Sequence, residues 1–459
     1  MNNNSAKYSR INSFAIILGV ALSAGRSPRA DAGDFAYGLG YTGTSSSNVT
    51  RVPVNERHEW INSILGGFTY VENNADVTTR LFSQVEYVDY RNKVYGNETL
   101  ANMSANAVWT ISPQQFTWMF DDTYQQLQIN ATAASTPDNR TNVNVLSTGP
   151  DVNIRFTPVS SLALGARYGN VYTGRIDASN NRTSGYTSFL YQSTATTTYS
   201  LNYEVLRVNY DNDVLNTNYT RQDMFFRARV QPSRSEFVLD LGVTDINRDH
   251  GQDLNGDLAR FSWIRQLTPE STLSLVLTSE FSDVGTDILS ASTTANTPHT
   301  LGQSAPVLAS VSMPSVAQTT ASGDMYRAKH GEMNYTQHGS QVGALFQIFK
   351  HEYNYEVTPV DRTETGGHFE LGYFFSIDST ASLFSDYTRT EYLNIVRNDK
   401  DKDSGLRYSH LITRNVTIGM EGRHTVRTST IPTFNFIDNR VLLSVMYTSG
   451  PLYKPLIGR

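Results

Sequence analysis

Apolar and polar residues alternate with a period of two along most of the chain after residue 34. Around residues 162–168, Leu162, Leu164, Ala166 and Tyr168 share one face and Arg167 lies on the other. Residues 237–244, 226–230 and 416–423 alternate in the same way. Because successive side chains of a strand point to opposite faces, the pattern predicts strands with one apolar and one wet face rather than helices.

The breaks between these strands are of two kinds. The long ones are polar and cover 131–141, 174–184 and 397–403. The short ones are built from turn-forming residues: Glu72-Asn73-Asn74, Pro113-Gln114, Pro158-Val159-Ser160, Pro232-Ser233-Arg234, Pro269-Glu270-Ser271, Asp378-Ser379 and Arg414-Asn415. Short and long breaks alternate, which predicts about 20 strands in ten hairpins, or 18 if one or two hairpins are merged.

Composition narrows the class of protein. The chain has 459 residues, a net charge of −6 and 17% charged residues, so nothing signals nucleic-acid binding. It contains no Cys, which excludes disulfides, thiolate metal sites and a cysteine nucleophile. The many Tyr, Thr, Ser and Asn residues suit strands with one wet face.

The first 32 residues resemble a secretory signal peptide. Lys7 and Arg10 precede the apolar run 14–24, and Ala30-Asp31-Ala32 offers a cleavage site. We therefore divide the chain into a signal peptide at 1–32 and one domain at 33–459, exported by a Gram-negative cell.

A transmembrane β-barrel explains the strand pattern best. Many strands are longer than the ~5–6 residues of soluble sheets, and their polar faces carry Arg, Glu and Asp that a dry core would not tolerate. Alternating strands with short turns on one side and long loops on the other are typical of outer-membrane barrels. The prediction is an all-β, single-chain, antiparallel up-and-down barrel of 18–20 strands in the outer membrane, ending with a strand at about 437–448.

Aromatic residues near many strand ends are interpreted as girdles at the membrane interfaces: Tyr87, Tyr90, Tyr124, Tyr203, Tyr210, Phe281, Tyr353, Tyr355 and Tyr392.

The Thr-Pro-x-Ser repeat fits the same architecture. It occurs in "RFTPVSSLALGARY" (155–168) and in "RQLTPESTLSLVLTSEF" (265–281). We interpret both as tight turns at the periplasmic rim. Leu273, Leu275 and Leu277 then face lipid, while Ser274, Thr278 and Glu280 face the pore.

One loop differs from the rest. Residues 286–324 are rich in Ser, Thr, Ala and Pro and nearly uncharged. They form either a surface loop or a plug in the lumen, and their low complexity favours the surface loop.

Chemical motifs are weak. Gly38-Leu39-Gly40-Tyr41-Thr42-Gly43 matches a dinucleotide fingerprint, but it lies in the first strand with no helix after it. The acidic stretches 245–257 and 399–403 could brace loops with Ca²⁺, yet neither fits a calcium loop. The pairs at His330/Glu332 and His351/Glu352 are interpreted as interfacial or lumen side chains. We therefore predict no enzyme, no cofactor, no catalytic residue and no metal ligand.

The polar strand faces supply the candidate functional residues. Mixed charges inside a pore would bind a polar polymer without trapping it, or would pair to stiffen the barrel, and both readings stay open. The lumen-facing candidates are Arg80, Arg155, Arg167, Arg227, Arg229, Arg423, Arg427, Glu86, Glu204, Asp240, Glu280 and Glu421.

A family resemblance adds a function. Segments 155–168, 259–283, 323–355 and 404–427 resemble the outer-membrane β-barrels of bacterial exopolysaccharide export, including the porins linked to exosortase-type polysaccharide clusters. The resemblance implies export of a secreted polysaccharide across the outer membrane. The implied partners are the polysaccharide, outer-membrane lipid and lipopolysaccharide, and periplasmic export or co-polymerase proteins, but no nucleic acid. The alternatives are a general diffusion or sugar-uptake porin and a structural or adhesin barrel without a conducting lumen.

Overall fold

The computed structural model describes residues 33–296 and 320–449, and these form 20 β-strands and one α-helix. The predicted signal peptide lies outside the described residues. The helix is α1 (Val284–Asn296), and two short 3-10 turns cover Pro137–Asn139 and Pro432–Phe434. The strands are β1 Asp34–Ser46, β2 Glu59–Asn73, β3 Val77–Tyr90, β4 Glu98–Ser112, β5 Phe116–Gln128, β6 Arg140–Thr157, β7 Ser160–Thr173, β8 Asn180–Thr194, β9 Thr197–Tyr210, β10 Tyr219–Val230, β11 Ser235–Arg248, β12 Leu254–Thr268, β13 Ser271–Ser282, β14 Tyr326–His338, β15 Val342–Tyr355, β16 Arg362–Phe374, β17 Ser379–Tyr392, β18 Arg397–Thr413, β19 Val416–Ser429 and β20 Phe436–Thr448.

The strands close into one antiparallel barrel. Each strand pairs with its neighbours in sequence, and β1 also pairs with β20, with Tyr41 opposite Val445. Closure leaves no free sheet edge, so every strand has two hydrogen-bonding partners. The predicted fold class is confirmed, and the last strand lies within a residue of its predicted position.

Short turns and long loops occupy opposite ends of the barrel. All of the predicted short turns lie at one end, which we call the inner rim. The long loops lie at the other end, the outer rim, and include 47–58, 129–139 and the described ends of the segment 283–325.

The repeated Thr-Pro-x-Ser sequence forms the same turn twice. The hydroxyls of Thr157 and Ser160 lie 2.7 Å apart, as do those of Thr268 and Ser271. In each turn the threonine hydroxyl also accepts a hydrogen bond of 3.2 Å from the backbone N–H two residues later. A register shift precedes both turns. The repeat is therefore a self-contained reversal of the chain at the inner rim.

The alternation assigns one strand face outward and the other inward. Tyr168 on β7 is exposed on the outside, whereas Val171, three residues on, is buried inside. The cross-strand register extends this assignment around the barrel. Leu273, Leu275 and Leu277 lie on the outward face, and Glu280 contacts the inward Arg260.

Aromatic side chains form two outward bands. Near the inner rim the rings of Phe237 and Trp263 stack with centroids 5.9 Å apart, and Tyr37 contacts Tyr447. An upper band is marked by exposed tyrosines whose hydroxyls bond to side chains nearer the outer rim, such as Tyr41 to Asn62 at 2.8 Å. The hydroxyls of Tyr87, Tyr168 and Tyr203 are bonded in the same way, and Tyr387 is also exposed on the outward face.

The girdle prediction holds for Tyr87 and Tyr203, both of which point outward and are exposed. It is wrong for five tyrosines. The register turns their side chains into the barrel, where folded segments of the outer half bury them: Tyr90, Tyr210, Tyr353, Tyr355 and Tyr392.

Two loop predictions are also corrected. Residues 397–403 belong to β18, with Asp399, Asp401 and Asp403 inward and Lys400 and Lys402 outward. The break predicted at 174–184 ends at 179, and β8 begins at Asn180. The glycine-rich motif at 38–43 lies within β1, as predicted.

Among residues 33–296 and 320–449, no helix is long and apolar enough to cross a membrane.

Candidate functional site in the barrel lumen

The register places all twelve predicted lumen residues on the inward face. They do not form charged rings. Most are paired along the wall, with an opposite charge on the same strand or on its neighbour. Their role toward a substrate stays a prediction.

One charge network runs along β10 to β13. Both Nε and a terminal nitrogen of Arg227 donate to Asp240, at 2.7 and 2.8 Å. Arg260 lies 3.6 Å from Asp240 and 2.6 Å from Glu280. The Phe225 ring lies under both guanidinium groups, with centroid distances of 5.4 and 5.5 Å. The network holds its cations and anions at fixed positions around the Phe225 ring.

A second network runs along β16 to β19. Arg427 donates to Asp401 at 2.7 Å, and Arg423 lies 3.3 Å from Asp403 and 2.9 Å from Glu421. Arg407 contacts the same Glu421 at 3.0 Å.

Smaller pairs complete the wall. Arg167 makes two 2.8 Å contacts with Asp151, and Arg229 lies 2.7 Å from Glu236.

Three candidates lie apart from these networks, and Glu204 lies close enough to Arg227 and Arg260 of the first network to interact with their charges. Arg155 bonds to backbone oxygens of its own inner-rim turn. Arg80 lies opposite Asn106 on the inward face of β4. Glu86 is flanked by two leucines in the register, and Glu204 lies opposite Asp223.

Helix α1 lies inside the barrel. Val284 and Ile288, four residues apart on one helix face, are almost fully buried. They pack against inward-facing apolar side chains of β5, β6 and β7: Leu127, Val143, Val145 and Val171. The described ends of the segment 283–325 therefore lie in the lumen, and the predicted surface loop is wrong for them. Residues 297–319 lie outside the described residues.

A buried ion pair anchors the start of α1. Asp283, just after β13, pairs with Arg182 on the inward face of β8, and Tyr219 donates a 2.9 Å hydrogen bond to Asp283. Asp283 also caps the helix by accepting the backbone N–H groups of Gly285 and Thr286 at 2.9 and 3.2 Å. Burial alone would raise the pKa of the Asp283 carboxyl, but the Arg182 charge and the hydrogen bonds outweigh burial and hold that pKa well below its ordinary value.

The contact at Gly285 is too close for any side chain. A Cβ at this position would lie 2.5 Å from Cζ of Arg182 and 2.8 Å from Cγ2 of Val171. Only glycine allows the helix to approach the wall this closely.

The returning limb is also fixed to the wall. The Ala321 N–H donates to the Gln128 carbonyl at 2.8 Å, and the Tyr210 hydroxyl donates to the Gly323 carbonyl at 2.7 Å. The Asp324 carboxylate accepts the N–H groups of residues 357 and 358 in the β15–β16 loop. Both limbs thus cross the outer half of the lumen.

A second segment crosses the outer mouth. The loop 129–139 begins at the end of β5, where the first crossing ends. Its carbonyls at Ala131 and Thr132 accept hydrogen bonds from Tyr392 and Arg397 on β17 and β18, at 3.1 and 2.6 Å. Arg51 of the β1–β2 loop donates to the Ser135 carbonyl at 3.1 Å.

An aromatic and cationic cluster fills the outer lumen beside β14 to β16. The guanidinium of Arg362 lies 4.4 Å from the Tyr353 ring centroid and donates to Glu364 at 2.7 Å. Tyr326 contacts the rings of Tyr353 and Tyr355 and bonds to Asp287 of α1. This cluster therefore links the wall directly to the helix.

Side-chain exposure of the lumen arginines shows which part of the barrel is filled. Near the outer rim, Arg182 and Arg397 are only 6% and 1% exposed. Toward the inner rim, Arg227, Arg423 and Arg407 are 42%, 33% and 29% exposed. The lumen is therefore packed at its outer end and opens toward its inner end.

The histidine and acidic motifs do not assemble a reactive centre. His330 and His351 lie ring to ring inside the barrel, with centroids 4.7 Å apart. Glu352 points outward to Lys350. In the described part of the chain, no group of three or more His, Asp or Glu side chains is placed to hold a metal ion.

Sequence reasoning did not single out the residues that fix the crossing segment, namely Arg182, Tyr219, Asp283 and Tyr326. One signal was present: Asp283 precedes Val284 and Ile288, and a capping residue before apolar residues four apart is typical of a helix start.

No protein-family profile matches the chain, and no curated protein matches it. Solved barrels are similar in outline. The siderophore receptor PirA from Pseudomonas aeruginosa is 8% identical, covers 92% of this chain and 81% of its own, and has a TM-score of 0.43. The FrpB iron transporter from Neisseria meningitidis is 10% identical, with coverages of 90% and 82% and a TM-score of 0.45. OpdK from Pseudomonas aeruginosa, solved with vanillate, is 8% identical, with coverages of 90% and 99% and a TM-score of 0.38. At these identities the likeness is one of general barrel shape.

Proposed function

We propose that this chain is an outer-membrane channel narrowed at its outer end by its own segments, and that it takes part in the export of a secreted polysaccharide. The main support for a channel is that the lumen arginines are more exposed toward the inner rim than near the outer rim. The inner lumen is lined by partly exposed charges, whereas the outer lumen is narrowed by α1, the returning limb and the loop 129–139.

Placement in the membrane is supported by the outward face. Apolar side chains form a continuous outward belt on most strands, bounded by the two aromatic bands. Aromatic rings at both edges of an apolar belt are what a barrel spanning a bilayer requires. The long loops then face the cell exterior.

A neutral or mildly charged polysaccharide suits the inner lumen. Hydroxyl groups can both donate and accept, so they bind side by side to guanidinium and carboxylate groups. Because most of the lumen cations lie close to an anion, the wall offers many contacts and few strongly attractive charges. The rings of Phe225 and Phe384 are buried beneath lumen guanidiniums and hold these groups in place at the surface of the lumen.

Planar-bilayer recording tests the channel and its substrate together. Purified chain should conduct, and purified polymer from the same cells, added on the inner-rim side, should block the current. Arg407→Gln with Arg423→Gln should weaken that block, whereas Arg265→Gln, which removes an outward cation, should not. Absence of conductance, including in variants that release α1, would refute the channel.

A deletion strain tests export directly. We expect surface polymer to fall and periplasmic polymer to accumulate. Normal surface polymer in the deletion strain, combined with a current that polymer does not block, would contradict export and favour a diffusion pore.

A further inference from the structure

A row of cations crosses the outward face of four neighbouring strands. The register places Lys350 on β15 opposite Thr365 on β16, Thr365 opposite Arg389 on β17, and Arg389 opposite Lys400 on β18. Adjacent strands lie about 4.8 Å apart, so the cationic side chains start within about 15 Å of one another. Lys402 lies two residues further along β18 on the same face.

The row is incompletely neutralised. Lys350 lies 2.7 Å from Glu352, which Lys329 approaches to 3.7 Å, and Arg389 pairs with Glu391. Lys400 and Lys402 make no ion pair or side-chain hydrogen bond with any residue in the described ranges. These five cations and two carboxylates leave a positive surface. Like charges directly opposite on neighbouring strands repel. An anion bound between Arg389 and Lys400 would therefore reduce the repulsion between them.

A shallow depression lies within the row. Thr365 is short and stands between the long arms of Lys350 and Arg389, which leaves a hollow of about 590 Å³ on the outer surface. Thr363, Gly366, Tyr387 and Glu391 complete its lining. The hollow is large enough for a phosphate group with part of its sugar, and it offers hydroxyl and cationic donors.

The height of the row on the barrel points to its ligand. Tyr387 of the upper aromatic band precedes Arg389 by two residues, so the row lies about 7 Å nearer the outer rim. On the inner-rim side of the row the outward face carries Lys402 on β18 and large exposed apolar residues on the neighbouring strands, including Ile348, Phe369 and Leu383. The cations therefore lie where the apolar belt ends on the long-loop side.

The wall at β9 differs from the patch on β14–β18. On another part of the wall Arg207 also points outward near the outer rim, but Asp249 neutralises it through two contacts of 2.8 and 2.6 Å.

We propose that the row Lys350, Arg389 and Lys400 binds the phosphate groups of lipid A, the membrane anchor of lipopolysaccharide. The inference rests on the proposed placement of the barrel in the outer membrane, whose outer leaflet carries lipid A at the level of the row. Phosphate oxygens accept charge-assisted hydrogen bonds from lysine and arginine, and Thr365 donates from the floor of the hollow.

The test uses the full chain refolded into detergent and two probes, bisphosphorylated lipid A and the same lipid after removal of both phosphates. Binding is measured by native mass spectrometry across a lipid titration. The variant carries Lys350→Gln, Arg389→Gln and Lys400→Gln. Its control carries Arg234→Gln, Arg265→Gln and Arg414→Gln, which removes the same charge at the inner rim.

We expect the row variant to bind phosphorylated lipid A roughly tenfold more weakly than the parent chain, with the control unchanged and the dephosphorylated lipid bound weakly by all three. Equal binding by the row variant and the control, or equal binding of the two lipids by the parent chain, would overturn the inference. Lys400→Gln alone, at an exposed and unpaired position, replaces the row variant if that variant does not fold, with a smaller loss expected.

Insertion into lipid vesicles is measured in parallel. A chain that does not insert would contradict the membrane placement, whereas a chain that inserts but does not distinguish the two lipids would contradict the cationic row alone.

Discussion

Removing Arg182 should release α1 from the barrel wall. Arg182 and Asp283 are both nearly inaccessible, and Asp283 lies at the helix start, so Arg182→Ala leaves a buried carboxylate with only hydroxyl and backbone donors. Breaking a buried ion pair by removing one partner costs about 3–5 kcal/mol. At 1.4 kcal/mol per factor of ten, the ratio of docked to undocked helix should fall roughly 10²- to 10⁴-fold.

The absence of cysteine from the chain makes a direct assay possible. Val284→Cys places one thiol on the buried helix face, where it can react with a maleimide only when α1 leaves the wall. Labelling should be slow in the otherwise unchanged chain and faster by at least two orders of magnitude with Arg182→Ala. Single-channel conductance should rise in the same variant, because the outer lumen loses its packing.

Two controls separate anchoring from general damage. Arg229→Ala removes a half-exposed inward cation from its pair with Glu236, a loss of about 0–1 kcal/mol, and should leave the labelling rate unchanged. Arg182→Met combined with Asp283→Asn removes both charges and keeps a capping side chain, so it should restore most of the protection. A labelling rate in Arg182→Ala within twofold of the parent would refute the anchoring role of the pair.

Three further outcomes follow from the same geometry. Gly285→Val should increase conductance and Val284→Cys labelling, because even a Cβ at Gly285 would lie 2.5 Å from the anchoring guanidinium carbon; unchanged values would contradict the close approach. The pKa of Asp283 is lowered in the folded state, so its contribution to docking is complete above pH about 4 and declines as the pH falls below that value. Labelling of the same thiol should therefore accelerate between pH 4 and pH 3, measured with an acid-tolerant thiol reagent, and Asp283→Asn should abolish that acceleration. Gly242→Ala should destabilise the barrel by about 1–3 kcal/mol, because the new Cβ would lie 2.1 Å from a backbone oxygen on β10, whereas Gly422→Ala meets no atom within 4 Å and serves as the control in heat-dependent gel mobility.

The alternation of apolar and polar residues was sufficient to predict the barrel. A period of two over many strands fixes which residues share a face, and lipid on one side requires an apolar face over the height of the belt. The turn residues fixed the reversals at the inner rim. At Thr157–Ser160 and Thr268–Ser271 the bonds that make the turn lie within four consecutive residues, so local sequence determines them.

Prediction failed above the apolar belt, where the outward strand face is polar. Tyr353, Tyr355 and Tyr392 have the spacing of an aromatic girdle, yet they point inward, where the segments that fill the outer half of the barrel bury them. Residues 397–403 carry Asp inward and Lys outward, so both faces are polar and no hydrophobic period marks the strand.

The position of the segment after β13 depends on tertiary structure alone. Val284 and Ile288 give α1 one apolar face. The sequence of the helix does not indicate which residues pack against that face. Their partners Val143 and Val171 lie more than a hundred residues earlier and become neighbours only when the barrel closes. The sequence by itself determined a barrel with charged residues on its inner face. Only closure of the barrel brings together the residues that hold α1 in the outer end of the lumen.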